Sequence, residues 1–275
     1  MVDLPEALLI SKQMDKEISG KTVVNVIQKE FNPKTMFINL TLEEFERQIK
    51  DDKILSTYAK GKWIFSKFKS DKILGINPEM GADILFHANK ESVPKKYHFL
   101  FEFDDGTFLT LKYSGFLLIR FATQKELDEA RYPGKIGPTP LDPEFTFDRF
   151  SNLLAQSNRM IKSTLLDYGQ VPGLSNFYLN DAFFKSKIHP KRKVNSLNNK
   201  EMKALYDSIK EILQEAVKLN GRKERKDLYG VAGKFSRIID SKDRGNPCPN
   251  CKTLIEKLSV AGSNNFICPK CQKLD

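Results

Sequence analysis

Four cysteines in the last 28 residues constrain this chain more than any other feature of it. Cys248-Pro-Asn-Cys251 and Cys268-Pro-Lys-Cys271 are separated by sixteen residues, and no other cysteine occurs among the 275. Each Cys-x-x-Cys knuckle turns two sulfurs toward one point, and residues 253–266 are enough for two short strands that bring the knuckles together. The spacing predicts one zinc ion held by four thiolates on a β-hairpin. Four protein ligands close the tetrahedron and leave no position for water, so the metal is expected to be structural, in a module with little core of its own. Two disulfides are the alternative. They are disfavoured because disulfide frameworks belong to much shorter secreted chains, and nothing else here looks secreted.

The remaining length holds one large domain or two moderate ones, and a 40% hydrophobic content supplies buried cores. No apolar run approaches the ~20 residues that a spanning helix needs, and MVDLPEALL places no basic segment ahead of an apolar one. A cytoplasmic, monomeric protein without membrane attachment is expected. The 45 Lys and Arg exceed the 35 Asp and Glu by ten, a surplus that attracts polyanions and that is also common on solvated faces of proteins that bind none.

Asp3 and Glu6 precede apolar positions at Ile10, Met14 and Ile18, with Gly20 after them, the pattern of a capped amphipathic helix. Apolar and β-branched runs then predict strands at 22–27, 36–40, 63–68, 98–103, 108–113 and 116–121, with a helix opening at Thr41-Leu-Glu-Glu44. Four prolines and two glycines between 132 and 143 exclude regular structure. Helical patterns follow at 147–156, 160–167, 176–185 and 200–219, where Asn220-Gly221 supplies a stop. Residues 221–247 are polar and basic and read as a mobile loop. The expected class is α+β: an N-terminal antiparallel β-sandwich with an N-terminal helix (1–131), a linker (132–143), a helical domain (144–244) and a zinc finger (245–275).

The stretch Leu165-Leu-Asp-Tyr-Gly-Gln-Val-Pro-Gly-Leu-Ser-Asn-Phe-Tyr178, followed by Ile188-His-Pro190, resembles the helix-two-turn-helix signature of the formamidopyrimidine-DNA glycosylase and endonuclease VIII family. The resemblance spans the chain: LPEA near the start, Gly61-Lys62, Gly137-Pro-Thr-Pro-Leu141 and CPNC…CPKCQ each resemble a family segment. It implies a base-excision enzyme acting on damaged or abasic double-stranded DNA, held between a β-sandwich and a helical domain. Such an enzyme flips the base, forms a Schiff base between its N-terminal amine and the sugar, and cleaves by β,δ-elimination. Mapped onto this chain, the resemblance makes Val2 the nucleophile, Asp3 and Glu6 the proton carriers and Lys62 a catalytic, phosphate-contacting cation. Met80 becomes a residue that fills the gap left by the flipped base, and Asn176 a phosphate ligand. His189 lacks any catalytic or metal-binding companion and is expected to be structural.

Four departures set this chain apart from the family pattern. Val2 replaces proline, Asp3 replaces glutamate, Ser263 stands where the zinc hairpin carries a phosphate-clamping arginine, and Tyr113-Ser-Gly-Phe-Leu117 lacks an arginine-phenylalanine wedge. A primary amine forms an imine readily, so Val2 is compatible with lyase chemistry once Met1 is removed. Asp3 withdraws its carboxylate by one methylene, and a displacement of about 1 Å costs ~100-fold in rate. Three readings stay open on these residues: a glycosylase and abasic-site lyase, a catalytically silent protein that binds damaged, abasic or branched DNA, and a zinc-ribbon interaction module on an unrelated scaffold.

Overall fold

The computed structural model describes residues 2–29, 32, 34–78, 82–167 and 170–274. The chain divides into two compact units, Met1–Ile136 with Leu219–Lys234, and Gly137–Lys218 with Phe235–Asp275.

In the first unit, helix α1 (Leu4–Ile18) buries Ile10, Met14 and Ile18, the stripe read from its spacing, and Ala7 beside them. A four-stranded sheet has the order β1 (Val23–Gln28), β7 (Phe99–Phe103), β8 (Phe108–Lys112), β6 (Asp83–His87). A five-stranded sheet runs β2 (Met36–Ile38), β9 (Leu117–Thr123), β5 (Lys72–Asn77), β4 (Trp63–Phe68), β3 (Ile54–Lys60). Pairing is antiparallel except between β2 and β9, which are parallel. Both sheets, α1 and α2 (Leu42–Ile49) feed one apolar core, in which Phe45 meets Phe99, Phe101 and Phe121 edge-on. Such aromatic pairs add ~0.5–1.5 kcal/mol each beyond the area that they bury. A short helix, α3 (Gln124–Glu129), follows β9.

Residues 221–247 correct the mobile-loop expectation. Leu228 is fully buried in the first unit's core, its N–H donates to Gln13 Oε1 at 2.9 Å, and its carbonyl accepts from Phe86. Gln13 Nε2 donates to Asp227 Oδ2, and the Tyr229 hydroxyl to Glu17. Asp227 and Tyr229 are thus among the polar groups that tie this segment to α1.

The second unit holds α4 (Phe147–Ala155), α5 (Ile161–Leu165), α6 (Asn176–Ser186) and α7 (Asn199–Lys218). Phe145 stacks on Tyr206, whose hydroxyl donates to the Phe145 carbonyl at 2.8 Å. The strands β10 (Glu256–Val260) and β11 (Ser263–Ile267) form an antiparallel hairpin, and Phe184 of α6 packs with Ile255, Phe266, Cys248 and Cys268 beneath it.

Candidate active site and metal centre

Val2 is buried, and its nitrogen lies 3.2 Å from the Pro78 carbonyl oxygen. The next residue ends in a carboxylate that is 0% exposed. Asp3 caps α1, and its N–H donates to Glu6 Oε2 at 3.1 Å. Lys62 Nζ approaches Asp3 Oδ1 to 3.6 Å from the β3–β4 turn, and Arg222 Nη1 approaches Oδ2 to 3.6 Å. Glu6 Oε1 in turn accepts the Arg222 backbone N–H at 3.0 Å. Two buried carboxylates therefore lie beside the first residues of the chain, with two cations on Asp3. A buried charge is tolerated only with such partners.

The return of the chain to this place depends on glycine. Gly221 has φ +79, and a Cβ on it would sit 3.0 Å from Glu6 Cγ and Oε1. Gly233 packs on the Gly221 backbone so closely that a Cβ would fall 2.2 Å from its carbonyl oxygen. Arg225 lies in the same neighbourhood. Burial and the charge of Arg222 push its guanidinium below the ordinary value, while Asp83, Glu6 and Asp3 pull the other way.

In the second unit, the α5–α6 turn contains Gly173 at φ +89 and ends at Ser175, whose hydroxyl accepts the Phe177 N–H at 3.2 Å and caps α6. Asn176 opens that helix. Its Nδ2 donates to the Asn264 carbonyl on the hairpin at 2.9 Å, and its Oδ1 is buried without a protein partner among the described residues. The amide expected to face a phosphate is thus engaged with the hairpin. Ser263 likewise turns inward: its hydroxyl bonds Lys162 Nζ at 2.7 Å. His189 accepts the Lys191 N–H at Nδ1, and burial lowers its pKa.

The four sulfurs of Cys248, Cys251, Cys268 and Cys271 all lie within 4.8 Å of one another, and all four cysteines are free. Recorded separations are 3.3, 3.4 and 4.0 Å, close to the edge of about 3.8 Å that a tetrahedron with ~2.3 Å Zn–S bonds requires. Turn bonds from Cys248 N to Thr253 O and from Lys252 N to Cys248 O shape the first knuckle. Gln272, fully buried, braces the second by accepting from Cys268 N and donating to the Ile188 carbonyl. The donor set fits a closed zinc site.

Of the residues singled out in the sequence, the structure thus gathers Val2, Asp3, Glu6 and Lys62 at one place, and Asn176 and Ser263 at the zinc hairpin. Met1 and Met80 lie outside the described residues. Arg222 and Lys162 were missed as site residues. No local pattern marks either, because the partners of Arg222 are more than 200 positions away and Lys162 lies inside an ordinary helix.

Residues 1–113 match the formamidopyrimidine-DNA glycosylase N-terminal domain, 136–227 its H2TH domain and 245–274 the zinc finger found in FPG and IleRS. A formamidopyrimidine-DNA glycosylase of Protochlamydia amoebophila is 30% identical, over 99% of this chain and 100% of its own length. The Lactococcus lactis Fpg bound to DNA containing an abasic site superposes with a TM-score of 0.87 at 26% identity, covering 98% of this chain and 99% of that one. The same Lactococcus protein bound to DNA containing Fapy-dG gives 0.86 at 26% identity, over 98% and 100%. With the acid pair, the zinc knuckles and all three matched segments in place, the chain belongs to the formamidopyrimidine-DNA glycosylase family.

Proposed function

We propose that this chain is a base-excision DNA glycosylase and abasic-site lyase that uses the Val2 amine, freed by removal of Met1, as its nucleophile. The observation that carries this reading is the pair of buried carboxylates, Asp3 and Glu6, which starts one residue from that amine and is held by Lys62 and Arg222. An α-amine titrates near ~7.7–8.0, so a useful fraction is neutral and nucleophilic at physiological pH. Its lone pair forms the N–C1′ bond, the bond from C1′ to the base breaks, and the base leaves with the electron pair and takes a proton. Opening of the sugar gives the imine, as the ring oxygen takes a second proton. Loss of a proton from C2′ expels the 3′ phosphate, and a second elimination expels the 5′ phosphate. Asp3 and Glu6 carry these protons, and Lys62 steadies the phosphate that leaves.

Oxidised purines are the first lesions to try, given the Fapy-dG of the Lactococcus complex. The protein is read as a cytoplasmic monomer acting on duplex DNA; no helix among the described residues is long and apolar enough to cross a membrane. Incubation with abasic duplex and borohydride tests the chemistry. The chain beginning at Val2 should form a covalent adduct and the chain retaining Met1 should form none. Absence of trapping by the processed chain, with binding intact, would favour the second reading, a protein that recognises abasic or branched DNA without cutting it.

A further inference from the structure

Lys162 on α5 is 0% exposed, and all its acceptors lie at one end of the zinc hairpin. Its Nζ donates to the Val260 carbonyl at 2.8 Å, the Ser263 carbonyl at 3.2 Å, the Ser263 hydroxyl at 2.7 Å and Asn265 Oδ1. Val260 and Ser263 flank the two-residue turn Ala261-Gly262, and both turn residues have positive φ, +48 and +73. A hairpin turn of that shape favours Asn-Gly or Gly-Gly; alanine in the left-handed region costs ~1–2 kcal/mol and has no side-chain group to offset it. The ammonium beneath the turn ties together the two residues that the strained pair must bridge.

The tie extends into the helices. Asn265 Nδ2 donates to Asn180 Oδ1 at 3.1 Å, the same oxygen accepts the Phe266 N–H, and Asn180 Nδ2 donates to the Ile239 carbonyl. Burial depresses the Lys162 pKa to about 8, the cost of keeping an ammonium in this interior. Outside, Ala261 and Gly262 are exposed, and the hairpin and its knuckles carry exposed Lys252, Lys257 and Lys270 against a single exposed acid, Glu256. The hairpin therefore presents a basic outer surface to a polyanion, while its inward cation is spent on shape.

We infer that Lys162 is a positioning residue for DNA binding, holding the Ala261-Gly262 turn in the one conformation that lets the hairpin tip seat against a phosphate backbone. The inference rests on the DNA-binding part of the proposed function. The test uses the zinc-loaded full chain and reads two quantities, hydrogen exchange at the tip amides (262–264) without DNA and affinity for an abasic duplex. Lys162→Met should raise tip exchange at least tenfold and weaken binding about tenfold, with zinc content unchanged. Adding Ala261→Asn, a residue at ease in the left-handed region, should return both to within about threefold of wild type. Ser263→Ala removes one of the four bonds and should raise tip exchange several-fold, which keeps the question open to measurement should Lys162→Met fail to fold. Unchanged tip exchange in both single variants overturns the inference, as does lost affinity that Ala261→Asn does not restore. Wild type that binds no abasic duplex overturns the proposed function and the DNA half of this inference, and the exchange comparison still decides whether Lys162 sets the turn.

Discussion

Asp3 balances two cations from separate stretches of sequence, Lys62 in a strand turn and Arg222 beyond the last helix. Its replacement by an isosteric amide separates charge from shape. Asp3→Asn keeps the volume and leaves both cations partly buried without their counterion, so unfolding free energy should fall by ~3 kcal/mol. Borohydride trapping should drop by two orders of magnitude or more if the carboxylate also moves protons. Thermal melts and trapping on the same preparations check both, and a variant that melts early yet traps like wild type would confine Asp3 to a structural part. The first half of this arrangement is legible in the sequence, because capping chemistry puts Asp3 and Glu6 on one helical turn. Arg222 is not, since its approach is set by a backbone at φ +79 against Glu6, 216 positions away.

At the level of elements, the zinc hairpin has the clearest energetics. Its own buried side chains are few and include two of the ligands, so binding of the metal supplies much of its folding free energy. Chelation should raise hydrogen exchange across β10 and β11 while α1 and the two sheets of the first unit keep their protection. Helix α6 carries a pH-dependent cost through Asp181, whose carboxyl is pushed up to about 7 chiefly by burial, against the Ile238 N–H bond and the charge of Arg237. The folded state keeps that proton where the unfolded chain, titrating near 3.8, releases it. The associated stability is full below about pH 4 and is lost as pH rises through about 7. Asp181→Asn should match wild type at pH 4 and exceed it at pH 7.5 by up to ~4 kcal/mol in denaturant titrations. Legibility varied among the elements for physical reasons. Helices α4, α6 and α7 follow their periodicity to within two residues, whereas β5 is buried on both faces and shows no alternation. Neither β3 nor β6 is among the strands that the sequence predicts. Phe116, expected to begin a strand, is exposed and stacks on Phe37 just ahead of β9.

On the scale of the whole molecule, a formal surplus of ten positive charges makes the salt dependence of DNA binding a direct test. If several phosphates are engaged, log affinity should fall linearly with log salt, losing about three orders of magnitude or more between 50 and 200 mM. A flat dependence would contradict a phosphate-tracking surface. The composition predicted that a polyanion would be attracted, but what the individual cations touch had to come from the structure: Lys162 bonds to a hairpin turn, and Lys62 and Arg222 each approach Asp3. The path of the chain has a further effect. It leaves the first unit at Ile136 and comes back at Leu219, bringing Arg222 to Asp3 and Leu228 into the core. During translation, N-terminal segments usually settle first. Here the ribosome must deliver all four helices of the second unit before Arg222 can reach Asp3 and Leu228 can fill the core, so the first unit completes its own fold only when most of the chain has been made.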